Sequence, residues 1–266
     1  MMKPLETASA VSSEDRTRFA ALCRDAMLSH HEKGTDGIGT LAEKRMHVIL
    51  KKYVCPNKDF YEIPLEGTRY VSDVRIGNEI YEIQTGSLFP MKKKIGYYLA
   101  HTDCTVTVVH PLVTDKWVVW VDPLTKSISE KVRSPKHERE ADLLPALYPL
   151  LPYLQNGRLR FRFLLIEAMD FKILSKGTKS RKRGAQKYER IPLSLKGEVC
   201  VSSHTDLSRF VPDALPDPFT VKEFSALTKI RGVDAYSAVR VLEAFGVLTE
   251  GEKRGRAMTL QKRKND

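Results

Sequence analysis

Apolar residues recur at helical spacing near the start of the chain. Phe19, Leu22, Cys23 and Met27 share one face of a helix expected from Ser12 to about Lys33, opened by Ser12 and Asp15 at capping-box spacing. Gly34–Gly39 breaks the pattern, and a second helix is expected over about Leu41–Tyr53, ended by Pro56. Short β-prone runs follow at Phe60–Pro64, Tyr70–Ile76 and Glu79–Thr85, then a helix over about Leu88–Ala100 and strands at Thr105–His110 and Lys116–Val121. Ala141–Leu154 is helix-like but carries Pro145, Pro149 and Pro152, which predicts a short or broken helix. Leu159–Leu165 alternates, with Leu159, Phe161, Phe163 and Leu165 opposite Arg160 and Arg162.

Interleaved helices and strands predict an α/β fold. Lys176–Arg190 reads as a basic linker, and a separate small unit begins beyond Asp213–Pro218. Thr220 and Glu223 form a capping box for a helix through Leu227; Gly232 marks a turn, and Asp234 caps a second helix through Phe245, closed by Gly246. Ala238, Val241, Leu242 and Phe245 make its inner face. Val247–Glu250 and Ala257–Gln261 then form a hairpin with a basic tip, Gly251–Arg256. This order reads as a winged helix-turn-helix. The expected division is residues 1–173 for the α/β domain, 174–213 for a basic connecting segment and 214–266 for the winged helix.

A chain of 266 residues with 42% hydrophobic content has room and material for such cores. It has no apolar run of the roughly 18 residues that span a membrane. Met1-Met2-Lys3-Pro4 lacks the apolar stretch of a signal peptide, so a cytoplasmic location without membrane contact is expected. Cys23, Cys55, Cys104 and Cys200 include no C-x-x-C pair and read as reduced thiols; His30–His31 and the His101/Cys104/His110 trio match no zinc spacing.

The net charge of +11 changes the picture by pointing to a polyanion partner, nucleic acid or an anionic surface. One basic cluster holds Lys179, Arg181, Lys182 and Arg183; another holds Lys253, Arg254 and Arg256 at the hairpin tip, followed by Lys262, Arg263 and Lys264. Tyr236, Ser237 and Arg240 would stand on the outer face of the second winged-helix helix, able to approach a DNA groove, while the tip reaches phosphates. The same unit also suits protein contacts, and a homodimer stays open.

The most informative stretch is Tyr70–Thr85. Gly77-Asn78 is a two-residue turn signal. It pairs Ile76 with Glu79, Arg75 with Ile80, Val74 with Tyr81 and Asp73 with Glu82, bringing two carboxylates opposite each other at about 5 Å between Cβ atoms. Like charges so placed call for a neutralising partner. A divalent cation bound by carboxylate oxygens is one; a salt bridge from Arg75, on the same face, is the other. Gln84 continues that face, while Ser72, Val74, Tyr81 and Ile83 line the opposite one.

Glu43 on a helix, then Asp73, Glu82 and Gln84 on strands, then the Lys-rich start of a helix, resembles the PD-(D/E)XK nuclease superfamily. The resemblance spans about Leu41–His110. It implies a restriction-endonuclease-like mixed sheet flanked by helices, and hydrolysis of phosphodiester bonds in nucleic acid, expected to be DNA, with Mg²⁺ or Mn²⁺. Asp73, Glu82 and the Ile83 carbonyl would hold the metal, with Glu43 assisting. Gln84 stands where the family usually has Lys, so Lys92 or Lys94 (Lys93 being the third of the run) would supply the positive charge. That departure keeps open a catalytically inactive, DNA-binding or regulatory use of the same scaffold. Glu43 also suits simple helix-dipole compensation after Thr40, and His47 reads as a surface residue. The chain is also similar, over nearly its whole length, to a group of functionally uncharacterised bacterial proteins with an E-I-Q-T-G strand end, a K-x-K helix start and a C-terminal helix-turn-helix; here these read Glu82–Gly86, Lys92–Ile95 and, for the following strand, Val106–Pro111.

Overall fold

The capping residues start the first helix as expected. Ser12 Oγ accepts from the Asp15 amide at 3.0 Å and donates to its carboxylate at 2.8 Å, and α1 runs Ser13–Glu32. The computed structural model describes residues 11–32, 42–122, 125, 127–174 and 185–263; the side chains of 29–32, 42–44, 174 and 185–188 lie outside that description. Helix α2 spans Ala42–Val54. Phe19 and Cys23 of α1 and Met46, Ile49, Leu50 and Tyr53 of α2 are buried against one face of a mixed sheet.

That sheet contains β1 (Tyr61–Pro64), β2 (Val71–Ile76), β3 (Glu79–Ile83), β4 (Thr105–Val121), β6 (Leu159–Leu174) and β7 (Ala185–Val201) in the spatial order β1-β2-β3-β4-β6-β7, with β5 (Val132–Arg133) paired to β4. The β3–β4 and β4–β6 pairs are parallel; the rest are antiparallel. The β3-to-β4 connection carries α3 (Lys92–His101). On this second face Ile95, Tyr98 and Leu99 join Ile80, Val106, Val108 and Phe161, together with Leu143, Leu144 and Leu147 of α4 (Leu143–Leu147). The expected proline-broken helix is therefore α4 followed by a 3-10 turn over Tyr148–Tyr153.

Two stretches differ from expectation. The separate strands at Thr105–His110 and Lys116–Val121 are one strand, β4. Its register against β6 shifts between Val113 and Asp115, and the extra residue splits one alternation into two. The segment expected as a basic connection over 174–213 contributes β7, so the sheet continues through Val201. Three register shifts in the β6–β7 ladder hide the alternation that would have marked it.

Beyond a short helix, α5 (His204–Ser208), the chain forms β8 (Phe219–Thr220), α6 (Val221–Thr228), α7 (Val233–Ala244), β9 (Leu248–Arg254) and β10 (Ala257–Lys262), with antiparallel order β8-β10-β9. Gly232, not Asp234, occupies the N-cap of α7; Asp234 sits in its first turn, where a negative charge suits the helix dipole. The hairpin strands reach Arg254, farther into the basic tip than alternation indicated. This unit is packed rather than tethered, since Leu207, Phe210, Phe224, Ala238 and Leu242 share a core with Leu143, Leu147 and Leu150. The Thr220–Glu223 capping box is formed, with Thr220 Oγ accepting from Glu223 N at 3.3 Å and Glu223 Oε2 accepting from Thr220 N at 2.6 Å. Thr220→Ala is expected to lower unfolding free energy by about 1 kcal/mol, read as a lower urea midpoint at unchanged slope. An unchanged midpoint would deny the cap that role. Among the described residues no helix is long and apolar enough to cross a membrane.

Candidate functional site at the β2–β3 splay

Gly77, at φ 57°, makes the turn that fixes the β2–β3 register: Ile76 faces Glu79, Arg75 faces Ile80 and Val74 faces Tyr81, as expected. The ladder stops there. The expected Asp73–Glu82 pair is not part of it, and Val71 and Ser72 pair with β1 and not with β3. In a continued ladder the Ile83 amide would bond to residue 72; it meets the Asp73 carboxylate, with Ile83 N donating to Oδ2 at 2.7 Å. The side chain of Asp73 thus replaces a backbone rung at the point where the strands part. His47 Nε2 lies 3.2 Å from the same oxygen, reaching it from α2.

Glu82 is approached from the other face. Its side chain is 1% exposed; Lys94 Nζ donates to Oε2 at 2.6 Å and the Tyr98 hydroxyl to Oε1 at 2.9 Å. Lys94 and Tyr98 stand one turn apart on α3 and so address one carboxylate together. The C-terminal end of α3 is anchored by Arg158, whose guanidinium donates to the carbonyls of Leu99 at 2.5 Å and Cys104 at 3.3 Å. Burial pushes the Glu82 carboxyl up to about 7; Lys94 opposes this and the negative charge of Asp73 adds to it. Burial would raise Asp73 too, but His47, the Ile83 amide and Lys94 outweigh it and hold Asp73 below the usual carboxylate range. Burial and the Glu82 charge raise the Tyr98 phenol.

Of the residues singled out in the sequence, Asp73, Glu82, Ile83 and Lys94 are brought together. Lys92, half-buried at the start of α3, makes no ion pair among the described residues, and Lys93 is exposed. Arg75 leaves the carboxylates alone and donates to Gly77 O at 3.3 Å. Gln84 turns away: its amide donates to Ser87 O at 2.7 Å. The Gln84 carbonyl has a different partner. Continuing the parallel register would pair it with the amide of residue 111, which is Pro and has none. His110 Nδ1 lies 2.6 Å away and fills the gap. The side chain of Glu43, and Lys179, Arg181, Lys182 and Arg183, lie outside the described residues.

In the C-terminal unit Tyr236 is exposed and Ser237 half-buried on α7. Arg240 is engaged by Glu243 at 3.1 Å, and Arg254 by Glu223 at 2.9 Å and Pro218 O at 2.5 Å. Lys253 and Arg256 remain exposed at the tip.

Tyr98 was missed as a site residue, although it stands four residues beyond Lys94 and helical spacing puts it on the same face. His47, four residues beyond Glu43, was expected at the surface and instead reaches Asp73. Among the described residues no group of three or more His, Cys, Asp or Glu side chains forms a ready cage for a metal. The donor set still fits a hard dication: two carboxylates, each oxygen with a second lone pair, and a mutual repulsion that such an ion would offset.

Residues 44–202 match a family described as a domain of unknown function, DUF8091. The chain belongs to this family. The DUF8091 region opens within α2 and closes just after β7, so it contains His47, Asp73, Glu82, Lys94 and Tyr98 and leaves α5 to β10 outside. No curated protein and no solved structure matches the chain.

Proposed function

We propose that this DUF8091 domain is a restriction-endonuclease-like, Mg²⁺- or Mn²⁺-dependent nuclease acting on DNA, with the C-terminal unit as a winged helix that docks the duplex. One observation carries the reading: the strand splay sets Asp73 beside Glu82, with His47 on one side and Lys94 and Tyr98 on the other.

Asp73, Glu82 and the Ile83 carbonyl would hold the ion, and Glu43 would assist. When bound, the ion supplies Lewis-acid polarisation of the phosphate and a more acidic water. His47 and the Ile83 amide orient Asp73 by their hydrogen bonds. Tyr98 orients Glu82. Lys94 brings fixed positive charge to where negative charge grows on the phosphoryl oxygens, the task that Gln84 cannot perform. Overall one water adds across the P–O ester bond: its oxygen bonds to phosphorus, the ester oxygen departs, and a proton passes to that leaving oxygen. Tyr236, Ser237 and Arg240 on α7 and Lys253, Arg254 and Arg256 at the hairpin tip, with Lys179, Arg181, Lys182 and Arg183, would make the DNA contacts.

The close engagement of both Glu82 oxygens by Lys94 and Tyr98 favours one rival: a DNA-binding protein in which the carboxylates are structural. Supercoiled plasmid and single-stranded DNA incubated with Mg²⁺, Mn²⁺ or EDTA separate the two. The expected result is metal-dependent nicking or degradation that Asp73→Ala lowers by at least about 10³-fold. Salt-sensitive DNA binding without cleavage would establish the rival, and equal cleavage by Asp73→Ala would remove the site.

A further inference from the structure

A second site lies away from the carboxylates. Between α5 with the 209–214 segment on one side, and the ends of α6, α7 and β10 on the other, the fold encloses a cavity of about 770 Å³. That is the size range of small-molecule sites. Its wall is apolar, with Phe210, Val211, Leu227 and Val247 contributing.

Its cations are Arg209, Lys262 and Arg263. The carboxylate in the lining is Asp213, fully exposed and 3.6 Å from Lys262. Arg209 faces Glu140 at 3.5 Å. Arg263 pairs with no carboxylate among the described residues. Its backbone is held, with Arg263 N donating to Val247 O at 3.0 Å, and its guanidinium lies over Gly246, where a Cβ would stand 2.9 Å from Nη1. Gly246, at φ 74°, takes a left-handed backbone that favours glycine.

We propose that this cavity binds a small organic anion with an apolar body, of the class of a medium-chain carboxylate or an aryl sulfonate. The anionic group meets Arg263, whose planar fork suits a carboxylate or sulfonate. The apolar body rests on Phe210, Leu227 and Val247. Because the two walls come from the segment after the DUF8091 region and from the C-terminal helices, such a ligand bridges both and stabilises their packing by mass action.

The test uses the full chain and a fluorescent pair: 1-anilinonaphthalene-8-sulfonate and its uncharged analogue N-phenyl-1-naphthylamine. Arg263 is exposed, so Arg263→Glu and Arg263→Lys leave the core untouched. The sulfonate is expected to bind saturably at one site and to be displaced by decanoate. Arg263→Glu should raise its Kd at least about tenfold, roughly one charge-assisted hydrogen bond, and Arg263→Lys should recover most of the loss. The uncharged analogue should not respond to either variant. Sulfonate binding unchanged in Arg263→Glu, equal sensitivity of the uncharged probe, or no saturable binding overturns the proposal.

Discussion

Lys94→Met is expected to cut metal-dependent DNA cleavage by about 10²–10³-fold, the usual effect of removing one preorganised cationic or hydrogen-bond stabiliser of a transition state. The same change has a structural consequence. Glu82 is 1% exposed and Lys94 is its sole cationic partner within hydrogen-bond distance among the described residues, so Met leaves a buried carboxylate that must either protonate or remain uncompensated. Breaking a buried pair from one side costs about 3–5 kcal/mol. Cleavage should therefore be measured where circular dichroism shows the variant folded, with Lys94→Arg and Lys92→Ala alongside. Arg keeps the charge and should retain part of the activity. Lys92→Ala should stay within about threefold of wild type, because Lys92 makes no ion pair with either carboxylate. Wild-type turnover in folded Lys94→Met, or an equal loss in Lys92→Ala, would take Lys94 out of the mechanism.

How far such a site is legible in sequence depends on which forces build it. The register of β2 and β3 is local: one glycine turn and two alternating runs set it, and the observed pairs at Ile76, Arg75 and Val74 follow. That one lysine of Lys92–Lys94 faces the site was legible for the same reason, since α3 begins nine residues after β3 ends; the resemblance narrowed it to Lys92 or Lys94, and the structure selects Lys94. Gln84 was not. Alternation places it on the carboxylate face, but Pro111, far along the chain, lacks the amide that would continue the ladder, and the strand gives way to a turn in which Gln84 bonds Ser87. His47 was hidden similarly, because its contact with Asp73 depends on α2 packing across the sheet. Register shifts in the β6–β7 ladder hid β7, and shared core packing joins the expected separate unit to the rest of the fold. What failed in each case was a non-local contact overriding a local pattern.

Two buried groups with opposed titrations give the other large effect, one on stability. Burial, the main cause, carries Glu82 from an ordinary 4.5 to about 7, and His110 from 6.5 down to about 4 despite its bond to the Gln84 carbonyl. Each shift corresponds to roughly 3 kcal/mol. For Glu82 the unfolded chain ionises first, so its contribution is intact below about pH 4.5 and is lost as pH rises toward 7. For His110 the unfolded chain protonates first, so its contribution is intact above about pH 6.5 and is lost as pH falls toward 4. The windows overlap with opposite slopes. In metal-free buffer these two groups should nearly cancel, leaving wild-type urea stability flat between about pH 4.5 and 7. Glu82→Gln removes the falling slope. Its stability should climb by roughly 3 kcal/mol across that range and exceed wild type at pH 7.5, as expected where a buried carboxylate is kept at the expense of stability. His110→Asn keeps a donor for the Gln84 carbonyl but no proton equilibrium, and should show the opposite trend, falling as pH rises. Parallel curves for wild type and Glu82→Gln would mean that the Glu82 carboxylate is solvated in the folded protein, and the closed arrangement around Lys94 and Tyr98 would then not be its resting state.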